Sequence, residues 1–287
     1  MSFLNHREII RAVELGRMHL QFIHKTSTPT PGASRWADCS MGAGTPIYNA
    51  YVGGQLEATQ LIGQKNQGIY TGPTPAAGQA KYLAQISLAS PQTSGGAPYT
   101  VQVCDYLMFY PLVDGDSTDQ QDMDNITSLP RYTSGVGVQL MLVCTTPMTA
   151  SGDIQINVTT ADDVDVTLTT STTVSGTVGV IINTAASNTA ISSTAFVPLG
   201  PHRGIKRVNW ITNQAALGGF YCAALVKPLT SMLLREPLTM TEQSLIMHKA
   251  SLPRVFDGAY INFLLQASAS GTGNPGAIRG EFDFIWG

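Results

Sequence analysis

Five aspartates fall within eleven residues in the run Asp114-Gly-Asp116-Ser-Thr-Asp119-Gln-Gln-Asp122-Met-Asp124-Asn125. Carboxylates at that density are the ligands of hard cations such as Ca²⁺, which takes about six to eight oxygens. As an EF-hand the run fails: its sixth position is not glycine, and Asn125 stands where a bidentate glutamate belongs. Two readings stand. Asp114, Asp116 and Asp119 are the candidate ligands of a Ca²⁺ site, or the loop is solvated and meets a neighbouring subunit, Asp122 and Asp124 included. No other cofactor is expected. A second acidic group, Asp162, Asp163 and Asp165, is more sparsely placed.

Other chemistries find less. There is no G-x-S-x-G nucleophile elbow and no glycine-rich phosphate loop followed by Lys-Ser or Lys-Thr. Cys39, Cys104, Cys144 and Cys222 lie far apart without zinc-ligand spacing, three of them in apolar runs, and read as buried free thiols. His19 and His24 are five residues apart, off the spacing at which two imidazoles share a metal on one helix face. Glycoside hydrolysis needs two carboxylates across a cleft, and the carboxylates here crowd into one loop. No catalytic residue is assigned, and the expectation is a protein that is not an enzyme. The basic turn Arg203, Lys206 and Arg207 in GPHRGIKR is a candidate contact for an acidic loop on a neighbouring copy.

The elements that carry these residues are mostly strands. Ile9, Ile10, Val13, Leu15, Met18, Phe22 and Ile23 recur at spacings near three and four, which predicts a helix from about Phe3 to Lys25, capped by Asn5. Its Arg7, Arg11 and Arg17 are candidate contacts to another subunit. The Pro-rich stretch after Thr26 then reads as an extended arm, so residues 1–35 form a helix and arm and 36–287 a body. In the body, Tyr99 to Val113 reads as a central strand covered on both faces, and VGVQLMLVCTTP as another apolar strand. DIQINVTT and DVDVTLTT alternate apolar and polar residues, as strands with one wet face do. The Thr/Ser-rich region 145–195 is expected to project as a β insertion. A second helix is expected over Thr239 to Lys249, and DGAYINFLLQASASG with NPGAIRGEFDFIWG reads as two strands joined by a Gly-rich turn. Serial strands with Gly/Pro turns predict an all-β, jelly-roll-like β-sandwich with an N-terminal helix and extended arm.

Only 12% of the 287 residues are charged, and the formal net charge is −3. A polar, weakly ionised surface repels neighbours little, which suits a protein that works in contact with other subunits. The negative balance gives nucleic acid no reason to bind without sequence preference, and no apolar run approaches the roughly 20 residues that span a bilayer. Neither nucleic acid nor membrane is an expected partner.

The segment YPLVDGDSTDQQDMDNITSLPRYTSGVGVQLMLV, Tyr110 to Val143, resembles virion structural proteins of tailed bacteriophages in its aromatic-Pro strand end, DGDSTD-type loop, LPRYT segment and G-V-Q strand. The resemblance covers about thirty residues and carries no catalytic residues over. It implies a capsid-associated component (minor capsid, cement or decoration protein) located in the virion and assembled in the host cytoplasm. Its partners would be copies of itself, as a trimer or larger, and the major capsid protein. The alternative is a tail or fibre protein, or a host-recognition protein that binds glycans with region 145–195 as its tip.

Overall fold

The structure is a computed structural model that describes residues 6–30, 35–63, 67–91, 98–183, 194–248, 251–267 and 276–287. Helix α1 spans His6–Glu14. The strands follow as β1 Met18–Lys25, β2 Trp36–Asp38, β3 Gly44–Thr45, β4 Thr59–Gln60, β5 Lys81–Ala89 and β6 Tyr99–Asp114. Next come β7 Gln121–Asp122, β8 Gln139–Cys144, β9 Asp153–Thr160, β10 Asp165–Ser171, β11 Ile205–Asn213 and β12 Phe220–Leu234. The chain closes with β13 Thr241–Ser244, helix α2 Leu245–His248, β14 Arg254–Val255, β15 Tyr260–Ala267 and β16 Ile278–Trp286.

These strands form three antiparallel sheets. The central one has the order β2-β15-β6-β12-β8, with β4 also on β6. A second runs β13-β5-β16-β1-β3, with β14 on β5, and a third runs β10-β9-β11-β7. The expected all-β sandwich is what the chain forms. Two interiors lie along the long β6–β12 ribbon. At its Tyr99 end, Val101, Val103, Phe263 and Leu265 pack on Ile23, Leu83, Ile86, Phe282 and Phe284 of the second sheet. At its Asp114 end, Leu107, Tyr110, Leu142, Tyr221 and Leu225 pack on Ile154, Ile156, Val158, Val208 and Ile211 of the third. A third cluster, with Trp36, Tyr51, Tyr106, Phe109, Cys222 and Tyr260, covers other positions of the central sheet. β6 is thus buried on both faces, as its apolar run predicts. Three register shifts between β6 and β12 curl the ribbon. Pro228 is tolerated within β12 because it sits at one of them, beyond the last β8 pair at Val226.

Four expectations change. The first helix stops at Glu14, not Lys25: Gly16 takes a left-handed φ of 69°, its N–H bonds to the Val13 carbonyl at 2.9 Å and that of Arg17 to Ala12 at 2.9 Å. Glycine adopts this terminating conformation without a Cβ clash. The apolar residues beyond it belong to β1, which pairs with β16 from Met18↔Ile285 to Lys25↔Ile278, so residues 18–25 are part of the body's second sheet. Asn5 and Phe3 lie outside the described residues.

The expected second helix is largely a strand: Thr241–Ser244 pairs with β5, leaving a single turn at Leu245–His248, while Lys249 lies outside the described residues. The last two strands are not partners either. β15 pairs with β6 and β2, β16 with β5 and β1, and Phe263 and Phe282 meet across the sandwich interior. Within 145–195, β9 and β10 do not stand off as a hairpin; β9 pairs with β11, and Ile154, Ile156, Val158 and Leu168 enter the core. Residues 184–193 lie outside the described residues.

Phe263 is fully buried between the second and central sheets. Phe263→Ala is expected to cost about 3–5 kcal/mol, the usual range for emptying a core aromatic site, read as a lowered urea midpoint with an unchanged m-value.

Candidate functional site

The most unusual surface lies on α1 and β1. Ile9 packs against Tyr82, Ala84 and Ile285, and Ala12 is buried, so one side of α1 lies on the outer face of the second sheet. The rest of the helix leaves Ile10, Val13 and Leu15 in solvent. In β1 the inward Ile23 and Lys25 are buried, whereas Met18, Leu20 and Phe22 point out, Phe22 at 65% exposure. Their register opposite Ile285, Asp283 and Glu281 puts them on the face that carries α1. Six large apolar side chains are therefore exposed along this α1–β1 strip of chain, and exposed apolar groupings of this kind mark interaction surfaces. β3 pairs only with His24 and Lys25, so no strand covers the edge of β1 from Met18 to Ile23 among the described residues. Cross-strand from Leu20, Asp283 keeps Oδ1 buried without a hydrogen-bond partner among the described residues, and burial pushes its pKa up, with Glu281 adding to the shift. Arg7 and Arg11 are exposed on the helix, while Arg17 is half-buried and its carbonyl accepts from the Trp286 N–H at 3.1 Å.

The acidic loop is braced by its own backbone. Asp114 Oδ1 accepts the Asp116 N–H at 2.9 Å, and Gln121 bonds both the N–H and the carbonyl of Asp114. Asn213 Nδ2 donates to the carbonyls of Asp114 and Ser117, both at 2.8 Å. Gln120 donates to Asp122 at 2.7 Å. The carboxylates of Asp116, Asp119, Asp122 and Asp124 belong to exposed residues. Among the described residues no three His, Cys, Asp or Glu side chains converge as a metal site.

The basic turn finds partners within its own chain. Arg203 pairs with Asp162 and Lys206 with Asp163, both on the β9–β10 turn. The Asp162 carboxyl is held below its ordinary pKa chiefly by the hydrogen bond from Arg203. Arg207 differs: it forms no ion pair among the described residues. Its Nε donates to Thr159 Oγ1 and Asn209 Oδ1, each at 3.1 Å. Asp165 Oδ1 accepts from the Thr159 hydroxyl at 2.6 Å and from Asn209 at 3.2 Å. Arg207 lines a cleft of about 660 Å³ with Ile126, Thr127, Ser128 and Leu129. Asn209 and the support it gives Arg207 had no distinct signal in the sequence, because β11 interleaves Ile205, Val208, Trp210 and Ile211 with five polar residues.

Two buried carboxylates hold the interior. Asp105 takes two bonds from Arg131, Nε at 3.0 Å and an Nη at 2.8 Å, and one from the Tyr260 N–H at 3.0 Å. Arg131, with a left-handed φ of 58°, also donates to the carbonyls of Leu61 and Tyr106. Burial raises the Asp105 pKa against the pull of the guanidinium. Asp38 accepts from the hydroxyls of Tyr51, Tyr106 and Ser40 and from the Ser40 N–H. Near it, Lys25 donates to the carbonyls of Gly42 and Pro46 at 2.9 and 2.6 Å. The four cysteines are free and buried, as their apolar neighbours predict.

Comparison with known proteins adds no relative: no family model, no curated protein and no solved structure matches this chain.

Two outcomes follow from the buried charges. Arg131→Ala strands the Asp105 carboxylate and should cost roughly 3–5 kcal/mol in chemical denaturation. Burial lowers the Lys25 pKa from 10.5 to about 8. Between those values the unfolded chain binds more protons than the folded one, so stability should rise as pH increases from about 8 toward 10. In Lys25→Met that rise should disappear from the pH series of denaturation midpoints.

Proposed function

We propose that this chain is a non-enzymatic structural protein of a tailed-phage virion, capsid-associated as a minor capsid, cement or decoration protein, and that it assembles through the α1–β1 strip. The observation that carries the reading is the strip itself: Ile10, Val13, Leu15, Met18, Leu20 and Phe22 are all exposed, beside an edge of β1 that no strand among the described residues pairs from Met18 to Ile23. An unpaired edge offers backbone donors and acceptors to an incoming strand, and alternate outward side chains give it apolar contact. The occupant in this reading is a second copy, with the same surfaces available to the major capsid protein in the particle. The unpartnered Asp283 oxygen beside Leu20 supports it, because a donor from the incoming subunit would satisfy that atom. Repetition in a lattice turns individually weak interfaces into firm attachment. The placement in a phage particle rests on the likeness of Tyr110 to Val143, which here spans the end of β6, the braced loop, β7 and β8.

Native mass by light scattering tests the reading. The chain should run as a trimer or larger, and Leu20→Lys with Phe22→Lys should shift it to the 30.5 kDa monomer with little loss of stability, since both side chains are exposed and stand cross-strand from Asp283 and Glu281. A monomer at every concentration, or an oligomer untouched by the double substitution, would overturn assembly through this strip.

A further inference from the structure

The outward face of the third sheet carries a second surface of a different kind. Ile156 pairs with Ile211 and Val158 with Val208, all in the core, so the intervening Asn157–Trp210 pair faces away from it. Asn157 donates to Thr167 of β10 at 3.1 Å and accepts from Asn209 at 2.8 Å. On the other side of Trp210 stands Asp122 of β7. The indole is half-buried, whereas Trp36 and Trp286 are buried in the sandwich. An aromatic ring set among amide, hydroxyl and carboxylate groups on the outward face of a sheet matches a pyranose, which is apolar on its C–H faces and polar around its rim.

Arg207 lies on the same strand where this face meets the cleft. Its Nε is held by Thr159 and Asn209, and Asp165 braces both of those groups. The guanidinium is held at Nε and forms no ion pair within 4 Å among the described residues, although Asp165 lies near enough to be lowered in pKa by its charge, so its terminal nitrogens are not taken up by a described side chain. A pre-oriented guanidinium fork matches the two oxygens of a carboxylate. The hydroxyls of Thr127 and Ser128 line the same cleft.

We propose that this surface binds an acidic saccharide, a sugar ring lying on Trp210 and a carboxylate held by Arg207. An acidic peptide would use the guanidinium but has no need of the indole beside Asn157. The inference goes beyond assembly through α1 and β1, and its residues lie on a different sheet.

The test titrates the full chain with trigalacturonate, the neutral trisaccharide galactotriose and penta-aspartate, following tryptophan fluorescence and heat, with native mass recorded for each protein. Trigalacturonate should perturb the fluorescence and bind at least about tenfold more tightly than galactotriose, as loss of a charge-assisted bidentate contact implies. Arg207→Lys, which keeps the charge and loses the fork, should weaken trigalacturonate about tenfold. Trp210→Ala should weaken both saccharides, with native mass and thermal midpoint unchanged in each variant. Equal binding of the two saccharides would overturn the carboxylate role. Penta-aspartate binding as tightly as trigalacturonate, indifferent to Trp210→Ala, would overturn it in favour of an acidic protein partner. No saturable binding of trigalacturonate up to about 10 mM, weaker than the free energy a working subsite supplies, would overturn the site altogether.

Discussion

The pairing of β6 with β12 is the constraint on which everything else rests. These two strands pair from Phe220↔Asp114 to Leu234↔Tyr99, and the second and third sheets are stacked along them one after the other. Three register shifts add bends to the natural twist of this ribbon, and each half addresses its own sheet. Where the two interiors meet, Asp105 and Arg131 tie β6 to the carbonyl of Leu61 and the start of β15. A charge in that position is costly to bury and is retained only because Arg131 and the Tyr260 N–H answer it fully. The left-handed backbone of Arg131 is the local cost of aiming the guanidinium there.

Much of this was legible in the residues. The double-sided apolar run of β6 and the alternation of β9 and β10 gave their strands and faces directly, because burial imposes period on short stretches. What failed was punctuation and partnership. Ile9 through Phe22 can be read at a helical spacing, and the single Gly16 that ends the helix is a weaker signal than seven apolar residues. β15 and β16 look like a hairpin because they are consecutive, yet both need a buried face, and facing each other across the interior satisfies that as well as pairing does. No local pattern distinguishes the two arrangements.

The candidate surfaces divide the same way. The apolar residues of the strip were visible, but their exposure depends on β1 lying beside β16 at the sheet's margin, a long-range fact. The basic turn was visible too, although its acidic partners proved to be Asp162 and Asp163, nearby in space through the β9–β11 pairing. Trp210 escaped notice because its neighbours Asn157 and Thr167 come from other strands, and a sequence shows a face only one strand at a time.

The position of β16 has a consequence for synthesis. It inserts between β5 and β1, so two strands made early are joined only by one made near the end of the stretch described. While the ribosome is still working, β1 has only the short β3 at His24 and Lys25 and lacks the register that β16 sets, and the loop to be closed is nearly the whole chain. The outward row of Met18, Leu20 and Phe22 therefore acquires its shape as one of the last events of folding. A chain cut short before β16 lacks the strand that aligns this row, so the row's geometry belongs to chains translated through β16.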